Sequence, residues 1–250
     1  YKNFRNFQGF TEELYGCIPV VTANASHNSW DWGEDVQWVP NDTRSFSYCV
    51  DQGDYWKWVG VGDNYGWLRT GGKPASGDPK DGKGALWGLS WYGIRKANIG
   101  LANLDKLTQA TTEERNLIEG QLYFFRGWFH FMLMQFWGGL PYVDEVLPSD
   151  EVLKRARLTY RETADKASED FRKAAALLPL DWDETTVGKQ TVGKNNIRIN
   201  KIMALAYLGK NELWAGSPLM SGDVNAQTTA YNAESCQRAA DAFAEVLDLC

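Results

Sequence analysis

Residues 111–141 read TTEERNLIEGQLYFFRGWFHFMLMQFWGGLP, and this stretch decides the fold. Thr111 followed by Glu114 spells a capping box, in which the hydroxyl takes the third helical amide and the carboxylate reaches back to the capping residue's own amide. Leu117, Ile118, Leu122, Phe125, Phe129, Met132, Leu133 and Phe136 then recur at intervals of three and four. That is the period of a helix and not of a strand. Gly138, Gly139 and Pro141 supply the stop. Because aromatic residues continue round the whole circumference from Tyr123 to Trp137, the helix is expected to be buried on nearly all sides. Within it His130 reads as a satisfied interior histidine. Arg126 reads as the partner of an interior carboxylate such as Asp170. Gly120 and Gly127, one heptad apart, share a face and let a neighbouring helix approach, at about 1 kcal/mol each in helix propensity.

Outward from this helix the pattern repeats. Thr159 and Glu162 make a second capping box ahead of Ala164, Ala167, Phe171, Ala174, Ala175 and Leu178, with Pro179 as terminator. Upstream, Leu86 to Leu107 places Leu86, Leu89, Ile94, Ala97, Leu101 and Leu104 near one face. Downstream, Ile199, Ile202, Met203, Ala206 and Leu213 mark one helix, and Cys236, Ala239, Phe243, Val246 and Leu247 mark the last. Phe4, Phe7, Leu14 and Ile18 suggest an amphipathic helix at the start. No strand pattern of similar strength appears. The expectation is an all-α chain of antiparallel helix pairs stacked in a tetratricopeptide-like manner, although the strict repeat consensus is absent. Residues 1–22 form the first helix, 23–84 an irregular Trp/Gly-rich loop region, and 85–250 the helix pairs, all within one domain. The density of glycines from Gly53 to Gly84 implies turns, and the tryptophans among them argue against disorder.

The 250 residues carry 26 basic and 32 acidic side chains, a net charge of -6, with no basic stripe. Phosphate neutralisation needs clustered Lys and Arg, so a nucleic-acid partner is not expected. No apolar run is long enough to span a membrane. The opening YKNFRNFQGF has neither the basic start nor the apolar stretch of a signal peptide, and the sequence reads as beginning within a mature protein. Two histidines, His27 and His130, leave little material for a metal centre or a histidine relay, and no metal or cofactor is expected. The group Asp181-Trp182-Asp183-Glu184 reads as a solvated turn. Cys17, Cys49, Cys236 and Cys250 are too few and too widely spaced for a disulfide scaffold or a CxxC motif, so thiols are favoured over disulfides.

Several segments in order resemble the SusD/RagB family of outer-membrane nutrient-binding lipoproteins of Bacteroidetes. They are Trp91-Tyr92-Gly93-Ile94-Arg95-Lys96-Ala97-Asn98, Thr112-Glu113-Glu114-Arg115 through Glu119-Gly120-Gln121-Leu122-Tyr123-Phe124-Phe125-Arg126-Gly127 to Phe136-Trp137-Gly138-Gly139-Leu140-Pro141, and Arg157-Leu158-Thr159-Tyr160-Arg161-Glu162 with Asp170-Phe171-Arg172-Lys173-Ala174. The small-residue helix around Ala204 to Leu208 continues the match. Gly120 and Gly127 stand where the family more often has Ala, a small-for-small replacement. Family members are about twice this long, so the resemblance makes this an N-terminal half. It implies a SusD-like fold and a non-enzymatic protein exposed at the cell surface on the outer membrane. Such a protein would be held by an N-terminal lipid anchor absent from this chain. It would capture a glycan, or sometimes a peptide, and pass it to a SusC-like TonB-dependent transporter.

The residues themselves suit a glycan. Sugar rings present apolar C–H faces edged by hydroxyls, so they call for flat aromatic surfaces beside Asp, Asn or Arg. Eight of the 12 tryptophans lie between residues 30 and 91. Trp67, between Tyr65 and Arg69 in a Gly-rich turn, is the first choice of platform, with Asp63 and Asn64 as hydrogen-bonding neighbours. Trp30 and Trp32 around Asp31, with Asp42 nearby, come next. Any one of these tryptophans taken singly reads first as a buried packing residue and second as a platform, and Trp87 and Trp91, at helical spacing, are assigned to the core. Two other readings stay open: a peptide-binding or purely protein-binding helical scaffold, and a helical glycoside hydrolase. The hydrolase would use carboxylates about 5 to 10 Å apart, such as Asp31 with Asp42 or Asp54 with Asp63.

Overall fold

The structure is a computed structural model and describes residues 1–18, 86–148, 155–221 and 230–250. Six helices account for most of them: α1 (Phe4–Gly16), α2 (Leu86–Leu101), α3 (Thr112–Trp137), α4 (Tyr160–Leu177), α5 (Lys201–Gly216) and α6 (Ala233–Leu249). No strand occurs among the described residues. The chain divides into two compact units, Tyr1–Leu14 with Gly93–Cys250, and Tyr15–Tyr92.

In the larger unit both capping boxes form as the sequence predicts. The Glu114 amide donates to Thr111 Oγ1 at 3.2 Å and the Thr111 amide to Glu114 Oε2 at 2.8 Å. Thr159 and Glu162 repeat the arrangement, and those bonds hold the Glu162 carboxyl below its ordinary range. At the other end of α3, Gly138 takes φ 73°, a left-handed value that only glycine adopts cheaply. Arg157 then donates to the Trp137 carbonyl at 2.6 Å and the Gly139 carbonyl at 2.8 Å, satisfying groups the helix leaves open.

Successive helices run antiparallel. Gly120, near the start of α3, faces Leu178 at the end of α4, while Gly127 faces Ala167 and Asp170. A Cβ at Gly120 would lie 2.7 Å from Leu178 Cγ, so the small residues do let α4 approach. Further on, the C-terminal half of α5 bonds to the N-terminal half of α4, and Gly216 at its end meets Ser235 and Cys236 at the start of α6. The tetratricopeptide-like pairing expected from the sequence is thus present.

The core is centred on α3, where Leu117, Ile118, Leu122, Phe124, Phe125, Phe129, Phe131 and Leu133 are enclosed. Ala164, Ala167, Phe171, Ala174 and Ala175 of α4, with Leu178 just after it, meet them, each buried as its spacing implies. A fully buried Leu or Phe side chain contributes roughly 1.5–3 kcal/mol, so this two-helix seam contributes strongly to stability.

Four expectations need correction. First, the helix read from Leu86 to Leu107 ends at Leu101, where Asn103 Nδ2 donates to the Ile99 carbonyl at 2.7 Å and the chain turns into a short 3-10 helix at Leu104–Lys106. A side-chain amide competing for a terminal carbonyl favours such a break. Second, α5 buries Ala204, Leu205, Leu208, Asn211, Glu212 and Ala215, whereas Leu213 is half-exposed and Ile202, Met203 and Ala206 are only half-buried. Packed between α4 and α6, α5 turns its small and polar residues inward. On α6, likewise, Ser235, Ala239 and Ala242 are buried while Leu247 is exposed. Third, Ile18 lies beyond the end of α1 and is exposed, and Phe4 is half-buried; Phe7, Gln8, Thr11 and Leu14 form the inner face. Fourth, the turn at Asp181 is built around a buried indole. Trp182 donates from Nε1 to the Ile199 carbonyl at 2.8 Å, and Asp183 accepts from the Gly193 amide and Asn195 Nδ2, which lowers its carboxyl.

Of the smaller unit, Tyr15–Ile18 and Leu86–Tyr92 are described. Cys17 is buried, and burial pushes its thiol up to about 11. Trp87 and Trp91 pack edge to face with ring centres 5.6 Å apart, and each is half-buried rather than enclosed.

Candidate functional site

The nine residues nominated for ligand contact, Trp30, Asp31, Trp32, Asp42, Asp63, Asn64, Tyr65, Trp67 and Arg69, lie outside the described residues, as do Asp54, His27 and Cys49. The structure does describe the helical frame downstream of that region and the polar groups inside it.

The most enclosed of these groups form a buried centre on α2, α3, α4 and the segment after α3. Arg126 grips Asp170 with two parallel bonds, Nε to Oδ2 at 2.6 Å and Nη2 to Oδ1 at 2.7 Å. Its Nη1 donates to Asn98 Oδ1 and to the Asp144 carbonyl, both at 3.1 Å. Tyr142 donates its hydroxyl to Asp170 Oδ2 at 2.6 Å. Asn98 Nδ2 holds the Val143 carbonyl at 2.9 Å and the Glu145 carbonyl at 3.0 Å. Burial opposes the Arg126 charge, but its bonds and attraction to Asp170 prevail and hold the guanidinium above its ordinary range. Burial and the Asp170 charge push the Tyr142 phenol well up.

His130 belongs to the same centre. The Val143 amide donates to Nε2 at 3.1 Å, so the ring proton must sit on Nδ1, which is 2.8 Å from the Arg126 carbonyl. The ring stacks on Tyr142 with centres 3.8 Å apart. Burial lowers its pKa to about 3, so the imidazole is neutral throughout the physiological range. The Arg126–Asp170 pair and the interior histidine are both as the sequence predicts. Asn98 and Tyr142 are not, because nothing in their local spacing marks them as polar partners. With every group enclosed and bonded, this centre fixes the segment 138–148 against the helices. It offers no open face to a substrate.

A second arrangement lies on the surface. Helices α4, α5 and α6 border an open groove of mixed charge, lined by Arg161, Asp165, Ser168, Glu212, Glu234 and Arg238 among others. Among the described residues no cluster of His, Cys, Asp and Glu is arranged to hold a metal ion. No described helix is long and apolar enough to cross a membrane. Cys236 and Cys250 are free thiols.

A family model of SusD-like proteins, described as starch-binding and associating with the outer membrane, matches residues 46–210. The chain belongs to this SusD-like family. No curated protein matches the sequence. Among solved structures, a SusD superfamily protein from Bacteroides thetaiotaomicron aligns over 99% of this chain and 48% of its own length, with 14% identity and a TM-score of 0.67. A SusD-like carbohydrate-binding protein from Bacteroides vulgatus covers 99% and 45%, with 14% identity and a TM-score of 0.61. A SusD-like protein from Bacteroides fragilis covers 99% and 38%, with 17% identity and a TM-score of 0.60. At these identities the likeness establishes the fold, which is all-α and SusD-like. The chain spans less than half the length of these structures.

Proposed function

We propose that this chain is the N-terminal part of a non-catalytic glycan-binding protein of the outer cell surface. It captures an oligosaccharide or polysaccharide and delivers it to a SusC-like TonB-dependent transporter in the outer membrane. A lipid anchor preceding these residues holds the protein there. The observation that carries this reading is the family match over residues 46–210, whose family is described as starch-binding and associating with the outer membrane. That span includes Asp63, Asn64, Tyr65, Trp67 and Arg69, the aromatic and polar mixture that glycan stacking calls for. Trp30, Asp31, Trp32 and Asp42 fall before it and are of the same residue types. We also propose one domain divided into a first segment at 1–22, which contains α1, the loop region at 23–84 and the helix pairs at 85–250.

Affinity electrophoresis of the full-length protein against a panel of polysaccharides, starch included, tests this directly. Wild type is retarded by at least one polysaccharide without releasing reducing ends, and Trp67→Ala loses that retardation with its helical circular dichroism unchanged. Retardation undiminished in the variant would remove Trp67 from the site. Release of reducing ends would overturn the non-catalytic assignment, and failure to co-purify with a TonB-dependent transporter would overturn delivery.

A further inference from the structure

Glu212, on α5, is a carboxylate at the floor of the surface groove with a side chain only 3% exposed. Its Oε1 accepts from Ser168 Oγ of α4 at 2.7 Å, and Ser168 Oγ in turn accepts from Asn211 Nδ2 at 2.9 Å. Its Oε2 has no hydrogen bond. Two guanidiniums stand above it, Arg161 from α4 and Arg238 from α6, but both are engaged elsewhere. Arg161 binds Asp165 at 3.0 Å and lies 3.9 Å from Glu234. Arg238 binds Asp165 at 3.1 Å and Glu234 at 3.0 Å. Toward Glu212 Oε2 they offer Arg161 Nη1 at 3.9 Å and Arg238 Nε at 3.2 Å, and neither nitrogen makes a hydrogen bond.

The cluster therefore sets three carboxylates against two guanidiniums, leaving one negative charge unmatched. Asp165 and Glu234 are 44% and 75% exposed, so water carries their charge at little cost. Glu212 has no such recourse, and an enclosed carboxylate beside like charges takes up a proton more readily than an exposed one. The remaining charged groups lining the groove are Glu169, Arg172 and Lys173 of α4 and Asp241 of α6, of which Arg172 is bound to Glu245 at 2.7 Å.

We propose that α4, α5 and α6 together form a proton-binding site, with Glu212 as the group that carries the proton and α6 as the element whose attachment responds. Uptake of one solvent proton forms an O–H bond on the carboxyl and discharges the excess negative charge. Arg161 and Arg238 are then left to bridge Asp165 and Glu234 across α4 and α6. Burial, aided by the charges of Asp165 and Glu234, raises the Glu212 carboxyl above its ordinary value, against the opposing pull of Ser168 and Arg161. The sign follows from that direction. A carboxyl raised in the folded state contributes stability that is complete below its unfolded pKa and is lost as pH rises through the folded one. The grip on α6 is therefore tighter in acid, where the carboxyl carries its proton, and weaker once it ionises.

Hydrogen exchange of the α6 amides in the full-length protein, corrected for intrinsic rates, tests this with wild type, Glu212→Gln and Glu234→Gln. Glu212→Gln mimics the protonated carboxyl. It should approach wild type at about pH 4, below the unfolded carboxyl's pKa of about 4.3, and protect α6 better at about pH 8, by roughly tenfold for each unit by which the carboxyl is raised. Glu234→Gln removes a like charge and should move the wild-type transition to lower pH. Loss of α6 protection in Glu212→Gln by an equal factor at both pH values, or by a larger factor at pH 8, would overturn the proposal, because either means that Glu212 acts as an ionised partner of the arginines.

Discussion

His130 makes acid stability a sharp test of the buried centre. In the unfolded chain an imidazole titrates near 6.5, whereas in the folded protein its pKa is lowered to about 3. The folded state therefore binds fewer protons between these values, and stability falls as pH falls through that window. It is complete above the unfolded pKa and lost down to the folded one. At about 1.36 kcal/mol per unit, the gap corresponds to about 5 kcal/mol in full, of which about 2 kcal/mol is lost by pH 5. Burial is the main cause, and a second ring proton would also oppose the Val143 amide, which now donates to Nε2 at 3.1 Å. The perturbation is His130→Gln, whose amide retains a donor and an acceptor but does not ionise. At neutral pH it loses the stack on Tyr142, worth about 0.5–1.5 kcal/mol. Urea unfolding of both proteins from pH 8 to pH 4.5 gives the difference between them, in which the carboxylates common to both cancel. That difference should shift in favour of the variant by about 2 kcal/mol between pH 8 and pH 5. A difference that stays constant across the range, or a folded His130 resonance titrating near 6.5, would refute the reasoning.

Asp170→Asn leaves the Arg126 guanidinium enclosed without its counter-charge and should cost about 3–5 kcal/mol by denaturant unfolding, far more than loss of an exposed pair such as Arg172–Glu245. Gly139→Ala would set a Cβ 2.2 Å from the Leu158 carbonyl oxygen, so it should destabilise the junction of α3 and α4 and lower the thermal midpoint. Gly9→Ala, in α1 with nothing within 4 Å of the added carbon, should raise stability by about 0.5–1 kcal/mol. Equal effects from these two glycine substitutions would contradict the packing described.

Local chemistry explains why so much of the frame is readable along the chain. A capping box joins residues three apart, and a helical stripe repeats at three and four, so Thr111, Glu114, Thr159, Glu162 and the inner faces of α3 and α4 carry their own signatures. Arg126 announces a buried charge because an apolar helix surrounds it, and Asp170 follows as a carboxylate on the facing helix. The reading fails where burial is set by more than one neighbour. On α5 the apolar period selects Ile202, Met203, Ala206 and Leu213, yet Asn211 and Glu212 point inward because α4 supplies Ser168 and the Ala164 carbonyl to receive them.

The candidate ligand residues are a different case. Trp67 and its neighbours are nominated by residue type, since stacking on a sugar needs an aromatic face and nearby polar groups, and residue type alone does not set the distances between them. What the sequence by itself determined is the helical class, the caps and stops of α3 and α4, and the small-residue face on which they meet. Each depends on neighbours within a few positions or on one period. Only the tertiary structure decided that Tyr142 and Asn98 join Arg126 and Asp170. It also decided that His130 is held as the Nδ1–H tautomer, that Trp182 is enclosed, and that Glu212 lies beneath two arginines from separate helices. Those contacts join residues far apart in the chain, and their free energies arise from burial and charge that exist only once the helices have packed.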